Sequence, residues 1–448
     1  MKHSTIKKLL QIAGVLLPIL LLSGLFLTCK DDQPKISWIR PFEDESYGRN
    51  KIVVISDLHL GANLAYAEIN NNLKPLEDLL EQIRKSTGVK ELVIAGDMLD
   101  EWFVPANIDT YQGKNQLDFV QRIAKSNQGV ISGLNRIIQE GKITVTYVPG
   151  NHDLTITAEN VAAILPGIHQ ARDEERLGLG TYSPEELPQL AIEHGHRYNF
   201  FCAPDPYSNQ DIASGTILAP GYFFTRIAAL HVVQKCTVMG DVIPPVTPNT
   251  SGDESQALLF GYWKTWEWAL TNLLFINNKF NEKIIVTNIN GFAGSYAVDD
   301  LLPYQVIAGG TIDVNLYKGI QNKWKERQAY NHVAVDIPTA HAIAYVADAN
   351  ETDNQSDLQY FANQNSSKRI VVFGHTHVAK IKSFQNYKGE KAVYANSGTW
   401  IDHNPNGTST DFIVIAPQSS NAQSQTYIRL YKFTNESVTK VSEDFIRL

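Results

Sequence analysis

The chain has 448 residues, 43% hydrophobic and 19% charged, with 29 Gly and 19 Pro; this is the composition of a folded protein and excludes a disordered, collagenous or polytopic membrane chain. Lys plus Arg is 39 against Asp plus Glu 47, a formal charge of -8, so the balance favours neither a nucleic-acid partner nor a coat on anionic lipid. Three cysteines cannot staple a disulfide scaffold, and a polyanionic substrate would need a local positive site such as bound metal.

Lys2, Lys7 and Lys8 precede a charge-free run from Leu9 to Cys29, which Lys30, Asp31 and Asp32 close. A basic start before an apolar run is an export signal. The run is also near the roughly 20 residues that span a bilayer, so an uncleaved N-terminal signal anchor fits it too. Leu27-Thr28-Cys29 resembles the lipobox of bacterial lipoproteins, and Cys29-Lys30-Asp31-Asp32 resembles the start of lipoproteins displayed by some Gram-negative bacteria. The resemblance implies an exported cell-envelope lipoprotein, lipidated at Cys29 and tethered to the membrane; a signal anchor is the second reading and a soluble secreted product the third. Residues 1–28 are then the export segment, and 29–50, punctuated by Pro34 and Pro41, a tether.

Regular structure is expected from Lys51. Ile52–Ile55, Glu91–Ala95, Ile143–Val148 and Leu190–Ile192 are short aliphatic runs that end in polar residues, the pattern of buried strands. Between the first two, Leu73, Leu76, Leu79, Leu80 and Ile83 keep helical spacing. Between the second and third, Phe119, Ile123, Ile131, Leu134 and Ile138 fit one or two helices. Strand alternating with helix is the grammar of an α/β sheet with crossovers.

From Arg197 to Lys368 the grammar changes, with six prolines breaking aromatic segments of helical pattern between Pro204 and Pro248. Leu259, Trp263, Trp266, Leu270 and Leu273 share one helix face there, while Trp268 and Phe275 lie off it. Glu351 to Lys368 is polar and reads as an exposed loop with one short helix. Strand patterns return at Ile370–Phe373, Ala392–Ala395, Phe412–Ile415 and Tyr427–Tyr431. Residues 51–196 and 369–448 are therefore expected to form one domain, and 197–368 a large insertion or cap.

Each of the five strands before and just after this insertion delivers Asp, His or Asn at its end: Asp57 and His59, Gly96-Asp97, Gly150-Asn151-His152-Asp153, His194-Gly195-His196, and Gly374-His375-Thr376-His377. Half of the twelve histidines fall in these short blocks. Active-site ligands in α/β proteins gather at strand carboxyl ends, and imidazole with carboxylate suits Mn, Fe or Zn. The glycines in front of Asp97, Asn151 and His375 permit close approach of backbone to ligand.

Together the five blocks, spanning Asp57 to His377, resemble the calcineurin-like metallophosphoesterase superfamily. The resemblance implies a two-sheet αββα sandwich with a large, mainly helical insertion, and two divalent metal ions, Mn first, with Fe or Zn as alternatives. It places Asp57, His59 and His377 on one metal, Asn151, His194 and His375 on the other, and Asp97 between them. His152 becomes the general acid, with Asp153 holding or polarising it; His196 either touches substrate or packs beside the site. The expected reaction is hydrolysis of a phosphate ester by in-line attack of a metal-bridging hydroxide.

Within the superfamily, Asp57-Leu58-His59-Leu60-Gly61 and Gly96-Asp97-Met98-Leu99-Asp100-Glu101-Trp102 look most like the UDP-2,3-diacylglucosamine hydrolase branch. His152 stands where that branch typically has Arg, and the insertion is much longer than in that branch. The expected partner is a phosphorylated small molecule or envelope-derived substrate, with no nucleic acid. Two other readings remain for the insertion: a cap selecting a lipid-linked or nucleotide-sugar pyrophosphate, or an interaction module for an envelope partner, with hydrolysis secondary.

Overall fold

The computed structural model describes residues 41–43, 48–235, 242–274, 279–405, 407–417, 425–434 and 436–448. The export segment, Cys29, most of the expected tether, Cys236 and Phe275 lie outside the described residues. No helix among those described is long and apolar enough to cross a membrane.

The aliphatic runs of the sequence become strands β1 (Lys51–Ile55), β2 (Val89–Ala95), β3 (Thr144–Val148), β4 (His169–Gln170) and β5 (Leu190–Ile192). Helices α1 (Leu73–Lys85), α2 (Gln116–Ser126), α3 (Gln128–Glu140) and α4 (Ala158–Ile164) connect them. Asn127 makes the 119–138 stretch two helices, its side chain donating to the carbonyls of Ile123 and Gly61 at 2.8 and 2.9 Å. The next stretch contains α5 (Pro220–Gln234), α6 (Glu254–Asn272), the hairpin β6 (Ile285–Ile289) with β7 (Phe292–Tyr296), and the short pair β8 (Tyr304–Gln305) with β9 (Ile312–Asp313). It ends with α7 (Trp324–Tyr330), α8 (Thr339–Ala344) and α9 (Ala349–Ser356). The chain finishes with β10 (Ile370–Phe373), β11 (Lys380–Gln385), β12 (Lys391–Asn396), β13 (Asp411–Ala416), β14 (Thr426–Thr434) and β15 (Ser437–Ile446).

Two sheets result, one ordered β15-β14-β13-β1-β2-β3-β4 and the other β11-β12-β10-β5. Strand alternation gives each sheet two apolar faces. Ile52, Val54 and Val93 share a buried cluster with Ile192, Val372 and Val393 of the other sheet. Val53, Ile55 and Leu92, on the opposite face, cluster with Leu76 and Leu79 of α1 and Leu134 of α3. The architecture is thus the expected α/β sandwich with an insertion. Because β1, β2 and β3 run parallel, and β10 runs parallel to β5 and β12, all five chemistry-bearing strand ends belong to parallel neighbours.

Two expectations are corrected here. The first part of the polar stretch after Glu351 is not an exposed loop, although 362–368 holds to the expectation with no buried residue: Thr352, Asp353, Gln355, Ser356 and Gln359 are buried. Their polar groups are satisfied internally, Asp353 by Lys380 and Tyr394, and Gln359 by the backbone of Val335 at 2.8 Å each way. On α6, Leu259, Trp263, Trp266 and Leu270 are buried as the spacing required, but Leu273, just past the helix end, is 48% exposed, and so is Trp268 at 46%.

Candidate metal centre

Each block leaves its strand in a turn held by backbone bonds to the neighbouring block. The N–H of Asp57 donates to Gly96 O at 3.1 Å, that of His59 to Asp97 O at 2.9 Å, and that of Gly374 to His194 O at 3.2 Å. Asp57, His59, Asp97, His375 and His377 all take positive φ, between 48° and 68°. Such left-handed conformations cost about 1 to 3 kcal/mol each in non-glycine residues, and the interlocked turns hold them. Two glycines make the approach of the blocks possible. A Cβ on Gly96, whose φ is +88°, would overlap the His194 ring, and one on Gly150 would overlap the Asp97 carboxylate and backbone N.

The side chains converge on two adjoining positions. In the first, His377 Nε2 lies 3.2 Å from both Asp57 Oδ1 and His59 Nε2, and His59 Nε2 lies 3.8 Å from Asp97 Oδ2. In the second, His194 Nε2 is 3.1 Å from Asp97 Oδ2 and 3.1 Å from Asn151 Oδ1, with the His375 ring edge-on to it at 5.1 Å. Asp97 belongs to both. Donor atoms of Asp57, His59 and His377, and of Asp57, Asp97 and His194, lie within 4.8 Å of one another, so Asp57 also reaches toward the second position.

The inner nitrogens are oriented from behind. His194 Nδ1 donates to Ala95 O at 2.9 Å, and His59 Nδ1 to Asp100 Oδ2 at 3.0 Å. This leaves each Nε2 facing the carboxylates, the arrangement by which outer partners fix a metal-binding imidazole. Burial opposes charge on His59, yet the hydrogen bond and charge of Asp100, with the charge of Asp97, push it up to about 10. Burial also opposes charge on His194, and the carboxylates of Asp97 and Asp57 push it up to about 9. His375 moves the other way, brought down to about 3 by burial and the charge on His194. Buried carboxylates are thus matched by protons on imidazoles, protons that a bound cation displaces.

His152 sits at the mouth of the centre. Its N–H donates to Asp97 Oδ1 at 2.7 Å and its ring packs over Trp102 at 5.2 Å. Its Nδ1 bonds Asp100 Oδ1 at 2.9 Å, so the carboxylate holding His152 is Asp100, which the sequence reading left without a role. Asp153, expected there, instead receives the N–H groups of Gly150, Met98 and Leu99 at 2.6, 2.9 and 3.2 Å. It ties the second block to the third and makes no contact with the ring it follows. His196 packs beside the centre. It is 2% exposed, its Nε2 donates to Gly178 O at 3.0 Å, and it packs against His194 and His375 from behind.

Asp97, Asn151, His152, His375 and His377 open into a cleft of 430 Å³ whose other wall comes from α5, α6 and the segment around Val346. Among the described residues lining it there is no Lys or Arg. Cys202 lines it as a free thiol, kept protonated by burial.

The strand-end cluster is a candidate site for divalent metal ions in an α/β sandwich. Residues 50–224 match the calcineurin-like phosphoesterase family. The match holds four of the five blocks; His375 and His377 lie beyond it in sequence and are brought to the others by β10. No curated protein matches the chain. Among solved structures, it is similar to the crystal structure of Pseudomonas putida nuclease MPE, 18% identical over 35% of this chain, with a TM-score of 0.19. The chain spans 56% of the length of that nuclease.

Proposed function

We propose that the protein hydrolyses phosphate esters with two divalent cations, Mn first among them, at this centre, and that it does so outside the cytosol, tethered to a membrane. Asp57, His59 and His377 are assigned to one cation, Asn151, His194 and His375 to the other, and Asp97 to both. The observation that carries the reading is the convergence of these oxygen and imidazole donors on two adjoining positions at the floor of a cleft. The fit is chemical as well as geometric: no Lys or Arg is among the described residues lining the cleft, the imidazole protons only balance the buried carboxylates, and bound cations would supply the positive charge a phosphate needs. Divalent ions in such a donor set lower the pKa of water and neutralise phosphate oxygens.

The chain's own residues supply the rest. Asp97 and Asp57 fix the spacing of the two positions. His152 commits Nδ1 to Asp100 and so keeps Nε2 as the atom that passes a proton to a leaving oxygen. Motif likeness to UDP-2,3-diacylglucosamine hydrolases supports this chemistry, while His152 in place of their arginine separates the chain from their substrate handling.

Hydrolysis of a chromogenic phosphomonoester and its bis-ester by the full chain is the direct test. Activity should vanish with chelator and return with Mn, with a clear preference for one ester; chelator-resistant turnover would overturn the assignment. The tether rests on the basic start, the apolar run and Cys29. Cys29→Ser is expected to abolish lipid labelling of the protein, whereas labelling that persists would remove the lipoprotein reading.

A further inference from the structure

The reaction cleft does not end at the metal centre. A groove of 590 Å³ runs between α6 and α8, and Thr265, Trp268, Val346 and Ala347 line both spaces. Each volume lies in the range of small-molecule sites, and the shared walls make them parts of one path.

Beyond those shared residues the groove is walled mainly by aliphatic and small side chains, among them Gly261, Ile343 and Ala344. Its few polar groups are already engaged locally. The Thr265 hydroxyl bonds the carbonyls of Gly261 and Ile343 at 3.3 and 3.4 Å. Lys264 pairs with Glu267 at 2.9 Å, and Asp348 caps α9 by accepting the Asn350 N–H at 2.8 Å. A sugar or a base would find almost no free donor or acceptor to read. Meanwhile α6 buries Trp263 and Trp266 and leaves Trp268 46% exposed where groove and cleft join, with Leu273 half exposed on the cleft side. An apolar ring left in water at the junction of two cavities gains free energy only when an apolar group covers it.

We propose that the substrate carries an apolar chain, which lies along the groove between α6 and α8 while its phosphoester occupies the strand-end cleft. The inference rests on the hydrolase reading above and names its substrate class. Continuity with the reaction cleft commits the groove to the tail of the substrate itself, and the wall chemistry commits that tail to an alkyl or acyl chain.

The test uses non-hydrolysable probes on the full chain with Mn present: propylphosphonate, phenylphosphonate and dodecylphosphonate, the last below its micellar concentration, followed by tryptophan fluorescence. Dodecylphosphonate should bind at least about tenfold more tightly than propylphosphonate, as each buried methylene adds to the free energy. Ala344→Asp, and separately Ala347→Glu, both at exposed positions in the groove wall, should cut that gain to under about threefold, the lower edge of what losing buried methylenes implies. Equal affinity for the two chains, or a gain that survives both substitutions, overturns the proposal. Phenylphosphonate binding as tightly as dodecylphosphonate also overturns it and makes Trp268 a stacking platform for an aromatic group. If neither the chromogenic esters nor dodecyl phosphate is hydrolysed while the chain-length gain persists, the hydrolase reading falls and the groove assignment stands.

Discussion

Asp97→Asn should abolish metal-dependent hydrolysis, lowering kcat by at least about a thousandfold, the upper scale for removing one central electrostatic element from an active site. Asn is isosteric with Asp, so the packing of a buried residue is preserved. The side chain is nevertheless forced into the wrong orientation. Oδ1 accepts the His152 N–H at 2.7 Å, so the amide oxygen must stay there. The NH2 group then occupies the place of Oδ2, 3.1 Å from His194 Nε2 and 3.8 Å from His59 Nε2. A donor faces both cation positions where an anionic acceptor stood. Metal analysis of the purified variant should show fewer than two ions per chain, and its thermal transition should show that it folds. Full activity would sink the mechanism. Full metal content with no activity would instead move the shared role to Asp57, whose donor atoms also group with His194.

Much of this centre is legible in the sequence because its ligands sit where runs of aliphatic residues stop. A buried strand advertises itself by Ile52-Val53-Val54-Ile55, and a parallel strand has to end at an edge where polar groups can be useful. The edge strands gave no such signal. Lys380–Gln385 and Ser437–Ile446 are mostly polar, with scattered apolar residues that do not alternate, so by sequence they resemble loop. The buried polar stretch after Glu351 deceived for a related reason: a polar residue reads as exposed, and only the fold shows that Asp353 meets Lys380 and Tyr394. The same limit governs the side chains of the site. His152 and Asp153 are adjacent, which invited a pairing, yet the backbone turn sends Asp153 to the N–H groups of Gly150 and Met98. The residue that does hold the ring, Asp100, lies three positions after Asp97, close enough in the motif to be noticed but with nothing in a linear spacing to say which imidazole it faces. Trp268 shows the converse. Its position off the apolar stripe of α6 was visible in the spacing, but the groove that makes that position informative needs α8, many residues away, to exist.

Asp100 yields the second large effect because it serves two imidazoles with two oxygens. Its Oδ1 accepts His152 Nδ1 at 2.9 Å and the N–H groups of Trp102 and Phe103 at 3.0 and 2.7 Å, while among the described residues Oδ2 accepts His59 Nδ1 alone, at 3.0 Å. In Asp100→Asn the three donors on Oδ1 keep the amide oxygen there, and the NH2 group is turned toward His59. Two donors cannot face each other, so His59 must carry its proton on Nε2 instead of Nδ1, the wrong-tautomer effect that an Asp→Asn change imposes on a buried imidazole. Nε2 is the nitrogen aimed at Asp57 and Asp97, and a protonated nitrogen does not bind a cation. The variant should therefore bind Mn about 10 to 100 times more weakly, the usual cost of losing an outer partner of a metal ligand. A titration of activity against Mn separates this from a loss of fold. Excess metal should recover much of the lost rate, because His152 keeps its contact to the amide oxygen. An unchanged Mn dependence would show that Asp100 does not set the His59 tautomer, and a rate lost at every Mn concentration would place its contribution on His152 instead.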